Sequence, residues 1–216
     1  MKSRNFILKI HKTSFIAFFL FFTLQIISNA SIQLELMPWS QMRLEGKSPY
    51  HAYFSNVTDI QLNTEVAPSK KEEALGVDIF SQKFKVGKLI RFELVIPIVA
   101  LNSGNAELDE TMRLALREKE YPEIRFSLKD YEILESVQSR VYPARLHGVL
   151  FVAGKEKSMT LKVFLIFQPN SIHIYGDQEL FMTDFGISPP PVPFQKHTTN
   201  EKVVIHYQLF LKLVNK

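Results

Sequence analysis

"RLHGVLFVAGKEKSMTLKVFLIF" runs from Arg145 to Phe167, and its apolar residues recur with period two on either side of Gly154-Lys155. Leu146, Leu150 and Val152 share one face of the first half, and Met159, Leu161, Val163 and Leu165 share one face of the second. Two is the side-chain period of a β-strand, so the stretch reads as two half-buried strands joined by a turn at Gly154-Lys155.

The same rhythm extends outward in both directions. In LIRFELVIPIVAL, Phe92, Leu94, Ile96 and Ile98 take one face, opposite Arg91 and Glu93. In EIRFSLKDY, Ile124, Phe126 and Leu128 oppose Arg125, Ser127 and Lys129. SIHIYGDQEL aligns Ile172, Ile174 and Leu180, and NEKVVIHYQLFLKL aligns Val203, Ile205, Tyr207, Leu209 and Leu211. Pro49-Tyr50, Pro68-Ser69 and Pro169-Asn170 punctuate the runs as turns or loops. One segment breaks the rhythm. In NAELDETMRLALREKEYPEI, Leu108, Met112, Ala115 and Leu116 fall at helical spacing behind an acidic start of Glu107, Asp109 and Glu110, with Pro122 expected to stop the helix. An all-β chain with one short helix follows, with seven or more antiparallel strands arranged as a sandwich or a closed barrel.

Ahead of the strands lies a segment of a different kind. Lys2, Arg4, Lys9 and Lys12 precede an apolar run from Ser14 to Ile27, and Ser28-Asn29-Ala30 follows it. That is the layout of a secretory signal peptide over residues 1–30, with cleavage expected after Ala30 and residues 31–216 forming one domain. A retained anchor is the alternative, but the run is short for a span of about 20 residues. Four of the 26 Lys and Arg, and none of the 22 Asp and Glu, lie in the first 30 residues. The remainder is electrically balanced, which removes the general electrostatic case for binding nucleic acid. With no cysteine in the chain, an exported domain of this size is held by its core alone.

Catalytic candidates are few. Asp184-Phe185-Gly186 matches the magnesium-binding letters of protein kinases, but no glycine-rich loop, strand lysine or catalytic-loop aspartate accompanies them. The reading is that Asp184 caps a turn at the end of a strand, Gly186 allows an unusual backbone angle, and Pro189 to Pro191 stiffen the exit. His51, His147, His173, His197 and His206 are scattered. His147, His173 and His206 sit opposite the main apolar faces of their strands, as solvated side chains, although convergence on a metal across strands stays open. No serine lies in a Gly-x-Ser-x-Gly turn, and carboxylate pairs such as Glu72-Glu73 and Asp109-Glu110 read as solvated. No catalytic residue, cofactor or metal is expected.

Apolar surface is the remaining resource. About two dozen large apolar residues point inward, each worth about 1.5–3 kcal/mol when buried. An eight-stranded barrel is wide enough either to be filled by its side chains or to hold one small ligand, so periodicity leaves both open. Val149, Phe151, Phe164, Ile166 and Phe181 break the alternation and need cover from the helix, or else form an outer patch.

Four stretches, in order, resemble the YceI-like family: "WSQMRLEGKSPYHAYF" (Trp39 to Phe54), "VIPIVALNSGNAELDETMRLALREKEYPEIRF" (Val95 to Phe126), "HGVLFVAGKEKSMTLKVFLIF" (His147 to Phe167) and "FMTDFGISPP" (Phe181 to Pro190). The resemblance covers Trp39 to Leu213. It implies a lipocalin-like extended antiparallel β-barrel, exported to the periplasm or beyond, holding a long-chain isoprenoid or other lipid in an apolar tunnel. Mid-strand position on inward faces then nominates Phe92, Leu94, Phe126, Leu128, Leu150, Val163 and Ile174 as tunnel wall. The implied partner is a long-chain isoprenoid or other lipid, with a membrane only as its source; a homodimer is left open. A secreted interaction or stress-response protein with a filled barrel is the alternative.

Overall fold

The computed structural model describes residues 32–47, 52–66, 89–136, 140–189 and 201–215. The expected signal peptide and its cleavage point, the turns at Pro49-Tyr50 and Pro68-Ser69, Pro190, Pro191, His51 and His197 lie outside the described residues.

The strands are β1 (Ile32–Leu36), β2 (Gln41–Lys47), β3 (Ala52–Val57), β4 (Gln61–Val66), β5 (Leu89–Pro97) and β6 (Leu101–Asn102), then β7 (Glu123–Ile133), β8 (Val141–Val152), β9 (Lys155–Gln168), β10 (Ser171–Phe181) and β11 (Lys202–Asn215). Every pairing is antiparallel, in the order β1-β4-β5-β7-β8-β9-β10-β11, and β1 also pairs with β11. The pairing therefore runs in a closed circuit of eight strands, while β2, β3 and β6 extend the wall from the other half of β11. Closure covers the sheet edges along the circuit except where β9 and β10 part beyond Phe164↔Tyr175. The result is the lipocalin-type barrel that the family resemblance implied, and it decides between the sandwich and the barrel that the alternation left open.

Two devices hold the seams. Between β1 and β2 the chain turns at Met37–Ser40, and Ser40 stands in for the missing ladder: Phe210 N donates to Ser40 Oγ at 2.9 Å, and Ser40 Oγ donates to Phe210 O at 3.3 Å. Between β1 and β4, which share the single register pair Ile32↔Val66, buried Thr64 Oγ1 accepts from Leu34 N at 2.7 Å and donates to Leu34 O at 2.9 Å. A hydroxyl can both give and accept, so one side chain closes both backbone groups.

The β8–β9 hairpin turns at Ala153-Gly154, one residue earlier than the sequence reading, because Val152 pairs with Lys155. Both turn residues have left-handed φ (49° and 84°), as type I′ two-residue turns require. The helix α1 (Ala106–Ala115) starts where Asn105 Oδ1 accepts from Glu107 N and Leu108 N. It ends well before Pro122, contrary to expectation: Arg117 enters left-handed φ at 58° and stops it. Met112 is buried, and Leu108, Ala115 and Leu116 pack against the barrel core. On the walls, the inward residues meet as cross-strand pairs such as Ile172↔Leu211, both fully buried.

Candidate ligand cavity

The barrel is not filled. It encloses a cavity of about 210 Å³, walled by side chains from nearly every strand and by Met112, Ala115 and Leu116 of α1. Six of the seven nominated residues stand on its wall: Phe92, Leu94, Phe126, Leu150, Val163 and Ile174. Leu128 does not. It is half-buried and packs against the core beside a bulge between Leu128 and Asp130, where β7 slips against β8.

Glycines explain how the lumen stays open. Gly46, Gly148 and Gly176 each fall in the inward phase of their strand, and an aromatic ring lies across each. A Cβ on Gly46 would meet the Tyr53 ring at 2.1 Å, one on Gly148 would meet Phe126 at 2.5 Å, and one on Gly176 would meet the Tyr207 hydroxyl at 2.8 Å. Tyr53 and Tyr207 are the direct register partners of Gly46 and Gly176, and Phe126 is diagonal to Gly148. The three rings therefore lie along the wall, where a side chain in place of each glycine would push them into the lumen.

The wall opens on one side. β9 and β10 pair from Gln168↔Ser171 to Phe164↔Tyr175 and no further. Beyond that point β9 stays paired to β8 as far as Lys155, and β10 to β11 as far as Phe181. Exposure follows the split: inward Val163, Leu165, Ile172 and Ile174 are at most 5 % exposed, while Met159, Leu161, Gln178 and Leu180 are half-buried and Phe181 is 42 % exposed. The far end is closed by the 3-10 turn Met182–Phe185, whose Phe185 is buried in the cavity wall.

Among the described residues, only Tyr53, Gln178 and Tyr207 bring side-chain nitrogen or oxygen to the wall, and none that lines it is charged. The Tyr207 hydroxyl is buried without a hydrogen-bond partner among the described residues. Burial, then the Asp177 charge, pushes its pKa up, so it stays neutral. A charged group taken into such a wall would lose its hydration without a partner, whereas an apolar chain is stabilised.

The outer face carries the remaining candidates. His173 is not solvated as expected: its ring stacks on Phe210 at 4.1 Å and 9°, and on Tyr175 at 5.0 Å, and burial lowers its pKa. His206 lies between Asp177 and Glu45, and His147 Nδ1 is 2.9 Å from Thr160 Oγ1. Among the described residues, no three His, Cys, Asp or Glu side chains cluster to hold a metal ion. Asp184 does not cap its turn, which has no side-chain cap bond; it pairs with Lys157 instead. Of the residues that break the alternation, Phe164 and Phe181 are exposed, Phe151 packs edge-on to Tyr121, and Val149 and Ile166 are half-buried.

An antiparallel barrel that closes around an uncharged cavity, with one helix packed on it, defines the lipocalin-type class. Residues 39–211 match the YceI-like domain, and the chain belongs to the YceI-like family. The crystal structure of Burkholderia cenocepacia BcnA is similar at TM-score 0.57 and 14 % identity, over 79 % of this chain and 95 % of that one. A polyisoprenoid binding domain from Saccharophagus degradans, implicated in plant cell wall breakdown, is similar at TM-score 0.59 and 9 % identity, over 86 % and 99 %. At these identities the likeness is one of fold. No curated protein sequence matches the chain.

Proposed function

We propose that this protein is an exported lipid carrier that holds a long-chain isoprenoid or similar amphiphile in its barrel and performs no chemistry of its own. The observation that carries the reading is the wall: thirty lining residues without a charge, three of them with a polar side chain. Such a surface offers dispersion and apolar area, so affinity rises with chain length by up to roughly 0.8 kcal/mol per buried CH₂. The polyisoprenoid-binding relative of the same fold supports the ligand class. Export to the periplasm or beyond rests on the basic start, apolar run and small residues before Ser31. A membrane then serves as the source of the lipid.

A second reading, a partner-binding protein, has the outer aromatic row in its favour. Phe210, His173, Tyr175 and Phe164 stack in sequence across β11, β10 and β9, and Trp39 in the turn before β2 extends the row with a ring tilted at 58° to Phe210. Extraction of protein purified from its native host, followed by mass spectrometry, separates the two. A long-chain lipid near one per chain supports the carrier, and a lipid-free protein that co-purifies with one stoichiometric partner supports the other.

A further inference from the structure

We propose that the split between β9 and β10 is the doorway of the cavity, and that the ligand's polar end rests there against Gln178 and Tyr207. The site then selects amphiphiles with a neutral hydrogen-bonding end, such as an alcohol, over pure hydrocarbons and over chains with a buried charge. The inference rests on the lipid-carrier reading and deepens it.

The first support is the geometry of the split. Gly176–Phe181 of β10 and Lys155–Val163 of β9 have no strand partner on their facing sides among the described residues. At about 3.3 Å per residue, Gly176–Phe181 spans roughly 20 Å. The stacked Phe164 and Tyr175 rings, 5.4 Å apart, mark one end, and the Lys157–Asp184 ion pair marks the other. Between these ends the half-exposed inward residues are the cavity's own lining, so a chain can slide in sideways without passing through the barrel's packed end.

The second support is where the polar atoms sit. Gln178 pairs with Ile205 and Gly176 pairs with Tyr207, so Gln178 and Tyr207 face inward as diagonal neighbours on adjoining strands. Tyr207 is 8 % exposed, and its hydroxyl lies over Gly176, where the strands begin to part. An unpartnered buried hydroxyl is destabilising, and a hydroxyl or carbonyl brought in by the ligand satisfies it. Both side chains are neutral and neither compensates a buried charge: the Tyr207 hydroxyl can give or accept, and Gln178, whose Nε2 donates to Glu179 O at 2.7 Å, keeps its carbonyl oxygen and second N–H for a ligand.

The test uses the full chain and phosphatidylcholine vesicles carrying either geranylgeraniol or the matching hydrocarbon without the hydroxyl. Because the chain has no cysteine, Thr160→Cys/Glu179→Cys places a single thiol on each lip, and a short bismaleimide ties the lips together. Tying them is expected to slow uptake by an order of magnitude or more, with the untied double variant behaving as wild type. Gln178→Leu and Tyr207→Phe are each expected to lower the alcohol-over-hydrocarbon preference by about 2–10-fold, one hydrogen bond's worth. Tyr207→Phe keeps the ring over Gly176, so its unfolding midpoint without lipid stays level or rises. Unchanged uptake in the tied protein overturns the doorway, and an unchanged preference in both variants overturns the polar seat. If wild type takes up neither probe, the carrier reading itself fails.

Discussion

Lys157 on β9 pairs with Asp184 in the 3-10 turn that follows β10, bridging two strands whose own ladder has already ended. The Asp-Phe-Gly letters thus do three local jobs: Asp184 ties the turn to β9, Phe185 fills the wall, and Gly186 adopts left-handed φ at 68°. Both partners of the pair are partly exposed, so water and salt screen it. Asp184→Asn should cost about 0.2–1 kcal/mol, with a smaller loss at high salt. A double-mutant cycle with Lys157→Met, read by urea unfolding, checks the coupling. ATP and magnesium should shift the melting temperature of neither protein.

Gly148→Ala should destabilise more. Its methyl would meet the Phe126 ring at 2.5 Å and Ser127 O at 2.7 Å, and the second contact is backbone that cannot swing away. About 1–3 kcal/mol is expected, as for other overpacked interiors. Displacing Phe126 should also cut lipid uptake. Denaturant unfolding together with a vesicle uptake assay measures both, and an unaltered stability counts against the rigid Gly148–Phe126 contact.

Position on the wall separates two otherwise similar substitutions. Ile174→Trp introduces bulk into the cavity and should abolish uptake of long-chain alcohols. Leu128→Trp lies off the wall and should leave uptake near the wild-type level, at an overpacking cost of about 1–3 kcal/mol. Equal effects of the two on uptake would remove Ile174 from the binding surface.

Stability should fall in mild acid through His173. Its folded pKa lies below the ordinary 6.5, because burial disfavours the cation. As pH falls below that value, the unfolded chain takes up the proton first, so this group begins to destabilise the fold, and the loss levels off below the folded pKa. Well above 6.5 it contributes nothing. Urea midpoints at about pH 7.5 and about pH 5.5 should differ less in His173→Phe than in wild type.

Export should leave Ser31 as the first residue of the protein recovered from its host. Intact mass decides this, and a mass that includes Met1 ends the claim.

The inward faces were legible because alternation is local: Phe92, Leu94, Ile174 and Val203 each announce their face through neighbours two residues away. The opening of the helix was legible for the same reason, whereas its end was not, since Arg117 turns left-handed with no glycine to signal it. Leu128 keeps the inward phase as far as its pair with Gly148 and packs against the core without lining the cavity, and the register shift that follows it leaves no mark in a period-two pattern. The open lumen depends on ring-over-glycine contacts such as Tyr207 on Gly176, 31 positions apart. Each glycine is visible in the inward phase of its strand, but its partner emerges only with the register. Gln178 could have been found as a polar residue in that same phase. The point where β10 leaves β9 has no local signature at all.

The closing pair β1–β11 joins Ile32 to Asn215, so the seam of the barrel unites the first described strand with the last. Contacts between such distant parts of a chain form slowly, because the intervening loop must be ordered first. Until β11 emerges, β10 is paired only to β9 over Ser171–Tyr175, β1 only to β4 at Ile32, and β2 only to β3. A growing chain therefore has no closed cavity until β11 is in place, and any binding competence arrives with that strand.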